Sequence, residues 1–146
     1  MKNHAVATLI LSLAGLTGLA NAQSGSTIIA EVPFNYIANG RAIPAGETRV
    51  KIENNGQAYL WIAAEDRSAF AMPMATDSSQ PAAETKLVFH RYGNRYFLAG
   101  VQREGQTRSY DLPAGRLEKE LRASNVEEKD VALVASLKMF GQRDTK

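Results

Sequence analysis

Apolar and polar residues alternate with a period of two along most of this chain, which is the pattern of half-buried β-strands. Short breaks rich in glycine, asparagine, proline or charge separate these stretches. The pattern predicts about seven strands, at residues 27–38, 47–54, 57–64, 69–75, 85–92, 95–102 and 130–139. Residues 113–123 instead have helical spacing. We therefore expect a mainly β fold, a small antiparallel barrel or sandwich with one short C-terminal helix.

The turn at Asn55-Gly56 is the strongest hairpin signal in the chain. Both residues tolerate the positive φ that a two-residue turn of type I′ requires. Counting back from such a turn places Val50 opposite Trp61 on one face of the hairpin. Trp61 is therefore expected to be a core residue.

A second two-residue hairpin is predicted at Gly93-Asn94. Its register places His90 opposite Phe97, and apolar side chains fall on both faces. Two arrangements fit this pattern. Either the hairpin is central and covered on both sides, or its tip protrudes and presents polar and aromatic side chains to solvent.

Three stretches are less regular than these hairpins. Pro33 cannot donate to a strand ladder, so the first strand is expected to bend there or to lie at an edge. Residues 76–84 are polar, contain a proline and predict the longest loop of the domain. Residues 130–139 alternate like a strand but also permit a helix, and we favour a closing strand.

The predicted helix has a possible cap and a narrow apolar stripe. Asp111 is expected to cap a helix that starts near Pro113, where a missing N–H costs little. Glu118, Glu120 and Arg122 are expected to be exposed helix formers. The helix should therefore pack only lightly on the sheet.

The first 22 residues have the features of a secretory signal peptide. Lys2 supplies the positive start, an uncharged apolar run covers residues 5–20, and Ala20-Asn21-Ala22 fits the cleavage pattern. The apolar run is short for a membrane anchor, which is the alternative. We expect a signal peptide at 1–22, one β-rich domain at 23–140 and a frayed tail at 141–146. The product would be periplasmic or extracellular, with no membrane span after cleavage.

The amino-acid composition and the charge of the chain exclude several classes of function. Lys2 is the one basic residue of the signal, so the rest carries 16 of the 17 basic side chains against 15 acidic ones. The basic residues are scattered, which argues against nucleic acid as a partner. The chain has no cysteine, which excludes thiol catalysis, thiolate metal sites and lipid attachment at the cleavage site.

His90 is the only histidine of the expected mature protein, because His4 lies in the signal. A cross-strand packing role is the expectation. As a metal ligand it would have to recruit carboxylates alone, and no metal-binding spacing occurs, so we expect no metal and no cofactor. The alternative function is an envelope hydrolase in which His90 works with acidic partners brought together by the fold.

The end of the second hairpin carries the residue types that are enriched at recognition hot spots. The candidate binding residues are Arg91, Tyr92, Arg95 and Tyr96. Cross-strand pairing that stabilises the hairpin end would place the same residues there. We expect a non-catalytic, exported protein that binds a partner protein or a small apolar ligand, or contributes structurally to the envelope.

Three stretches carry a resemblance to a known family: VPFNYIANGRAIPAGETRVKI at 32–52, FHRYGNRYFLAGV at 89–101 and LP..R.EKEL at 112–121. The chain resembles small uncharacterised exported proteins of the acidobacterial type, and the likeness spans most of the mature part. No activity, cofactor or catalytic residue is known for that family. The resemblance therefore implies an extracytoplasmic bacterial protein and nothing about its chemistry.

Overall fold

The structure is a computed structural model that describes residues 26–139. The expected signal peptide at 1–22 and the expected tail at 141–146 lie outside the described residues. In chain order the elements are β1 (Ser26–Val32), β2 (Tyr36–Ala38), β3 (Arg41–Ile43), β4 (Gly46–Asn54), β5 (Ala58–Ala64), β6 (Arg67–Ala71), β7 (Met74–Asp77), β8 (Lys86–Tyr92), β9 (Arg95–Gln102), β10 (Arg108–Asp111), α1 (Arg116–Ala123), β11 (Glu128–Val134) and β12 (Ser136–Met139).

The strands form two sheets of five and seven strands. The five-stranded sheet has the order β12-β1-β4-β5-β6. The other sheet has the order β11-β8-β9-β10-β7, with β2 paired to β9 and β3 paired to β2. The expected mainly β fold with one short helix is confirmed, and it is sandwich-like because the described strands form no closed barrel.

The described chain passes from one sheet to the other four times, and three of these crossings divide a segment that was expected to form one strand. Three of the crossings contain a proline, namely Pro33, Pro44 and Pro73, and the fourth lies at Ala135. Proline lacks the N–H that a ladder needs, so pairing stops there. The bend expected at Pro33 is confirmed, and so is a closing strand at 130–139, divided at Ala135. The strand expected at 69–75 is likewise divided, at Pro73.

The core lies between the inner faces of the two sheets. Its largest fully buried side chains are Tyr36, Phe89, Ile28, Ile43, Leu60, Ile62, Leu87, Val32, Val50, Val101 and Thr48. Tyr36 and Thr48 share a buried hydrogen bond of 2.9 Å between their hydroxyl groups. Burial raises the pKa of Tyr36 to about 12, and the hydrogen bond opposes this rise. The ring of Tyr36 also packs edge-on against Phe89, with 5.2 Å between ring centres.

The register of the first hairpin differs from the prediction by one residue. Asn54 pairs with Ala58, so the loop has three residues, and Lys51 rather than Val50 lies opposite Trp61. Of the loop residues only Gly56 has a positive φ, 87°, so the two-residue type I′ turn does not form. A one-residue shift moves every side chain to the other face. The prediction that Trp61 is a core residue is therefore wrong, since 46% of it is exposed.

The helix begins later than predicted and is capped differently. Asp111 belongs to β10 and accepts a 2.7 Å hydrogen bond from the Thr76 hydroxyl, while Gly115 occupies the N-cap position. The predicted capping role of Asp111 is wrong, because the strand continues to this residue. Glu118 was expected to be exposed and is 4% exposed. In the part of the chain that the structure describes, no helix has the length and apolar character needed to cross a membrane.

Candidate functional site

A cluster of charged and polar side chains fills the space between α1 and the strands β8 and β11. We call it the polar cluster. It consists of His90, Tyr92, Glu118, Arg122, Glu128 and Asp130. Its strand residues are two apart and so share a face, and β8 and β11 pair His90 with Asp130 and Tyr92 with Glu128. Its helix residues are four apart and lie on one helix face.

His90 is fixed by the buried carboxylate of Glu118. The Nδ1 atom of His90 lies 2.7 Å from Oε1 of Glu118. A carboxylate only accepts, so Nδ1 carries the hydrogen and donates it. Nη2 of Arg122 lies farther away, 3.4 Å from Nδ1 and 3.3 Å from Oε1 of Glu118. The other ring nitrogen, Nε2, therefore faces the two remaining carboxylates of the cluster.

The hydroxyl of Tyr92 joins the helix to β11. It lies 2.6 Å from Oε2 of Glu128 and 3.0 Å from Oε1 of Glu118, and it accepts a 2.7 Å hydrogen bond from Nε of Arg122. Burial, followed by the hydrogen bond with Glu128, holds the pKa of Tyr92 well above its usual value. The same hydrogen bond is the main cause of a lowered pKa at Glu128. Tyr92 therefore remains a neutral donor.

These geometries restrict the chemistry available to His90. Among residues 26–139, no serine or threonine hydroxyl is hydrogen-bonded to His90. The Tyr92 hydroxyl, which belongs to the same cluster, is bonded to Glu118, Glu128 and Arg122 instead. The acidic partners that the hydrolase hypothesis requires are thus present. An activated hydroxyl nucleophile is not formed within the described residues.

The candidate binding residues of the second hairpin separate onto its two faces. Tyr92 belongs to the polar cluster, is 2% exposed and pairs with the exposed Arg95. On the other face the Arg91 guanidinium lies 5.5 Å from the ring centre of Tyr96, the expected cross-strand cation–π contact. Tyr96 stacks on Phe34 with ring centres 3.7 Å apart. The four residues do not form one surface, and their role in binding stays a prediction.

The expected pairing of His90 with Phe97 is confirmed. Sequence reasoning missed its partners Glu118 and Arg122, which were assigned to an exposed helix face, and also Glu128 and Asp130. Signals for both pairs were present in the sequence. The first pair has the spacing of neighbours on a helix, and the second has the spacing of one strand face.

A second feature lies on the outer side of the five-stranded sheet, near its edge strand β6. Tyr59, Trp61 and Phe70 form a group that we call the aromatic face. Phe70 stacks on Tyr59 with ring centres 5.2 Å apart and meets Trp61 edge-on at 6.4 Å. Trp61 and Phe70 are each 46% exposed. Clustered apolar side chains at such exposure are typical of contact surfaces.

Space for a small ligand is limited in the cavity between α1 and the strand ends. This cavity is lined in part by Ile37, Met72, Phe97 and Leu117 and has a volume of about 60 Å³. Pockets for drug-sized ligands usually measure about 300–1,000 Å³. A cavity of this size has room for a few waters but not for a lipid or a large cofactor.

The comparisons with known proteins give no counterpart: no family model, curated protein or solved structure matches this chain. The arguments on function below therefore rest on the residues and their geometry.

Proposed function

We propose that this chain is an exported, non-catalytic β-sandwich that binds a partner protein through the aromatic face. The observation that carries the proposal is the outward position of Trp61 and Phe70 on a regular sheet. Half-exposed aromatic rings contribute part of their apolar area to folding and keep the rest available for a partner. Tryptophan and tyrosine are also the residue types that dominate binding energy at protein interfaces.

The surroundings of the aromatic face favour a protein as the partner. The rings lie half-exposed on the outside of a sheet, which suits a broad contact more than a small apolar ligand. On the same side, Arg49 forms a 2.7 Å ion pair with Glu47, and Lys51 lies opposite Trp61. An aromatic centre with a charged rim is the usual anatomy of a protein interface. The partner surface would be apolar at its centre and polar around it.

Trp61 supplies a direct test because it is the only tryptophan of the chain. The purified protein is first cross-linked to proteins of an envelope fraction, and the captured proteins are identified. Each captured protein is then purified on its own. Each candidate is then titrated onto the protein while Trp61 fluorescence is followed. We expect a blue shift and lower acrylamide quenching, because the indole becomes buried. The matched variants are Trp61→Ser with Phe70→Ser, and as control Met74→Ser, a more exposed apolar residue on the other sheet.

The proposal requires the double variant to lose binding of the purified partner while the Met74→Ser control keeps it. Because the double variant has no tryptophan, its affinity and that of the control are measured by calorimetry. Equal affinity of both variants would refute the aromatic face as the contact. Alanine substitution of Arg91, Arg95 and Tyr96 in the same titration tests the hairpin residues. If those substitutions abolish binding and the aromatic ones do not, the contact lies at the hairpin.

Export is a separate part of the proposal and has its own measurement. The protein is expected to leave the cytoplasm through the signal peptide at 1–22 and to start at Gln23. Mass spectrometry of the native protein from the periplasm and the medium reads its N-terminus. An intact N-terminus in the cytoplasmic fraction would contradict export without affecting the binding test.

A further inference from the structure

Three potential ligand atoms converge at the solvent-facing side of the polar cluster. Nε2 of His90 lies 3.7 Å from Oε1 of Glu128 and 3.7 Å from Oδ1 of Asp130. All three atoms lie within 4.8 Å of one another. They come from β8 and β11, two directly paired strands, so the backbone holds their spacing. His90 is half-buried and Asp130 is largely exposed, which leaves the group open to water on one side.

The distances are too long for direct hydrogen bonds and close to those around a metal ion. A hydrogen bond from Nε2 to either carboxylate would need about 2.7–3.2 Å. Two ligands each about 2.1 Å from a tetrahedral zinc ion are about 3.4 Å apart. The observed 3.7 Å separations differ from that value by a few tenths of an ångström, which a side-chain rotation removes. Two of the three separations are therefore close to those around an ion, and the ligand atoms of the group all lie within 4.8 Å of one another.

The remaining contacts of the ligands orient them toward one another. Glu118 accepts the Nδ1 hydrogen of His90, so Nε2 presents a lone pair outward. A carboxylate behind the imidazole is the usual second partner of a metal-binding histidine. Oε2 of Glu128 is held by Tyr92 and Arg122, which leaves Oε1 on the side of His90.

The charge of the cluster also favours a divalent cation. With His90 neutral, the carboxylates of Glu118, Glu128 and Asp130 and the guanidinium of Arg122 together carry a net charge of −2. A doubly charged ion cancels this excess. One imidazole and two carboxylates suit zinc and neighbouring transition metals better than magnesium or calcium, which prefer oxygen ligands throughout.

From these observations we propose that His90, Glu128 and Asp130 bind one divalent transition-metal ion of the zinc type, with water in the open position. Glu118 is a positioning residue, because it acts on the ion through His90. The site is independent of the aromatic face and of the partner binding proposed above.

Calorimetric titration of the purified protein with Zn²⁺ alone tests the site. We expect one ion per chain. Asp130→Asn and His90→Gln should each weaken binding by about tenfold or more. Asp130 is exposed, so its variant should fold normally.

The matched control is Glu127→Gln, a neighbouring exposed carboxylate that pairs with Lys129 instead. It should leave the affinity unchanged. Mg²⁺ in the same titration should give weaker binding.

Glu118→Gln separates positioning from simple structural support. An amide can donate to His90, so the Nδ1–H tautomer loses its fixed acceptor. Nitrogen NMR of the His90 ring should show Nδ1 protonated and Nε2 shifting on addition of Zn²⁺ in the original protein, and a mixture of tautomers in this variant. Absence of saturable Zn²⁺ binding would overturn the proposal. Equal affinities in the Asp130→Asn, His90→Gln and Glu127→Gln variants would overturn it as well.

Discussion

The two hairpins of this protein start from similar turn signals and end with different geometries. At Asn55-Gly56 the loop takes in one further residue, and the strands β4 and β5 shift by one position. At Gly93-Asn94 the loop has two residues, and the strands pair as the sequence predicts from Tyr92 and Arg95 to Phe89 and Leu98, beyond which the register shifts by one residue at Val88. The first result places Trp61 on the outside of the sandwich. The second places His90 and Tyr92 on the side that α1 covers.

The difference lies in which loop residues adopt a positive φ. Each loop has one such residue: Gly93, with a φ of 62°, is the first residue of the two-residue loop, where a type II′ turn has its glycine, and Gly56, with a φ of 87°, is the middle residue of the three-residue loop. A three-residue loop with a glycine at its left-handed position is the next most common hairpin connection. Because side chains alternate along a strand, this one-residue difference in loop length determines which aromatic residues lie in the core and which lie on the surface, where a partner can contact them.

The largest expected effect compares one aromatic residue from each hairpin. Phe89, fully buried on β8, should cost about 3–5 kcal/mol of unfolding free energy when replaced by alanine, since a cavity remains. Trp61→Ala should cost about 1 kcal/mol or less, because the ring is half-exposed. Chemical denaturation of both variants measures the difference. Similar losses for the two would mean that Trp61 is a core residue and that the shifted register is wrong.

Much of the fold follows from local alternation and turn chemistry. The hairpin at Gly93-Asn94, the closing strand and the short helix were predictable because each depends on neighbours in sequence. The sheet crossings were only partly predictable. Pro33 indicates a break, but whether the next strand continues in the same sheet or joins the other depends on which sheet offers a free edge. That information is not local.

The polar cluster was the least predictable part, for the same reason. Glu118 reads as an ordinary exposed helix residue until α1 packs against β8 and buries it. Asp130 gains its role only through pairing with His90, which lies far away in sequence. The sequence showed that His90 had only carboxylates as possible co-ligands. It could not show which carboxylates the fold brings to it.

The next largest effect is a loss of stability at alkaline pH, caused by Tyr36 on the buried side of the second hairpin. Tyr36, which packs on Phe89, has its pKa raised to about 12 from the usual value near 10. The folded state thus holds this proton more tightly than the unfolded state. The stabilisation is complete below pH 10 and is lost as the pH rises toward 12, by about 2–3 kcal/mol. Urea midpoints measured across this pH range report the loss.

Tyr36→Phe provides the control for the alkaline titration. Phenylalanine cannot ionise, so the variant should lose less stability over the same pH range, although it starts lower because Thr48 loses its buried partner. The burial-raised pKa of Tyr92 adds to the alkaline loss in both proteins. Parallel curves for the variant and the original protein would show that Tyr36 does not carry this effect.

A smaller effect compares the tyrosines of the two hairpins. Tyr92→Phe removes the hydroxyl that joins Glu118, Glu128 and Arg122, and we expect a loss of about 1–2 kcal/mol. Tyr59→Phe, on the aromatic face, should change stability by less than about 0.5 kcal/mol. Thermal or denaturant unfolding of both variants gives the comparison. A Tyr92→Phe variant as stable as Tyr59→Phe would show that the polar cluster contributes little to folding.

The smallest effect concerns the loop of the first hairpin, whose length is what distinguishes it from the second hairpin. Gly56 has a φ of 87°, so Gly56→Ala should cost about 1 kcal/mol, because an L side chain is strained there. Asn55 is outside that region, and Asn55→Ala should stay within about 0.5 kcal/mol. Denaturation curves of the two variants measure both losses of unfolding free energy and so distinguish a three-residue loop from a two-residue loop. In a two-residue type I′ turn both positions need a positive φ. Comparable losses of stability at Asn55 and Gly56 would therefore contradict the three-residue loop. They would support the register predicted from the sequence, with Trp61 in the core.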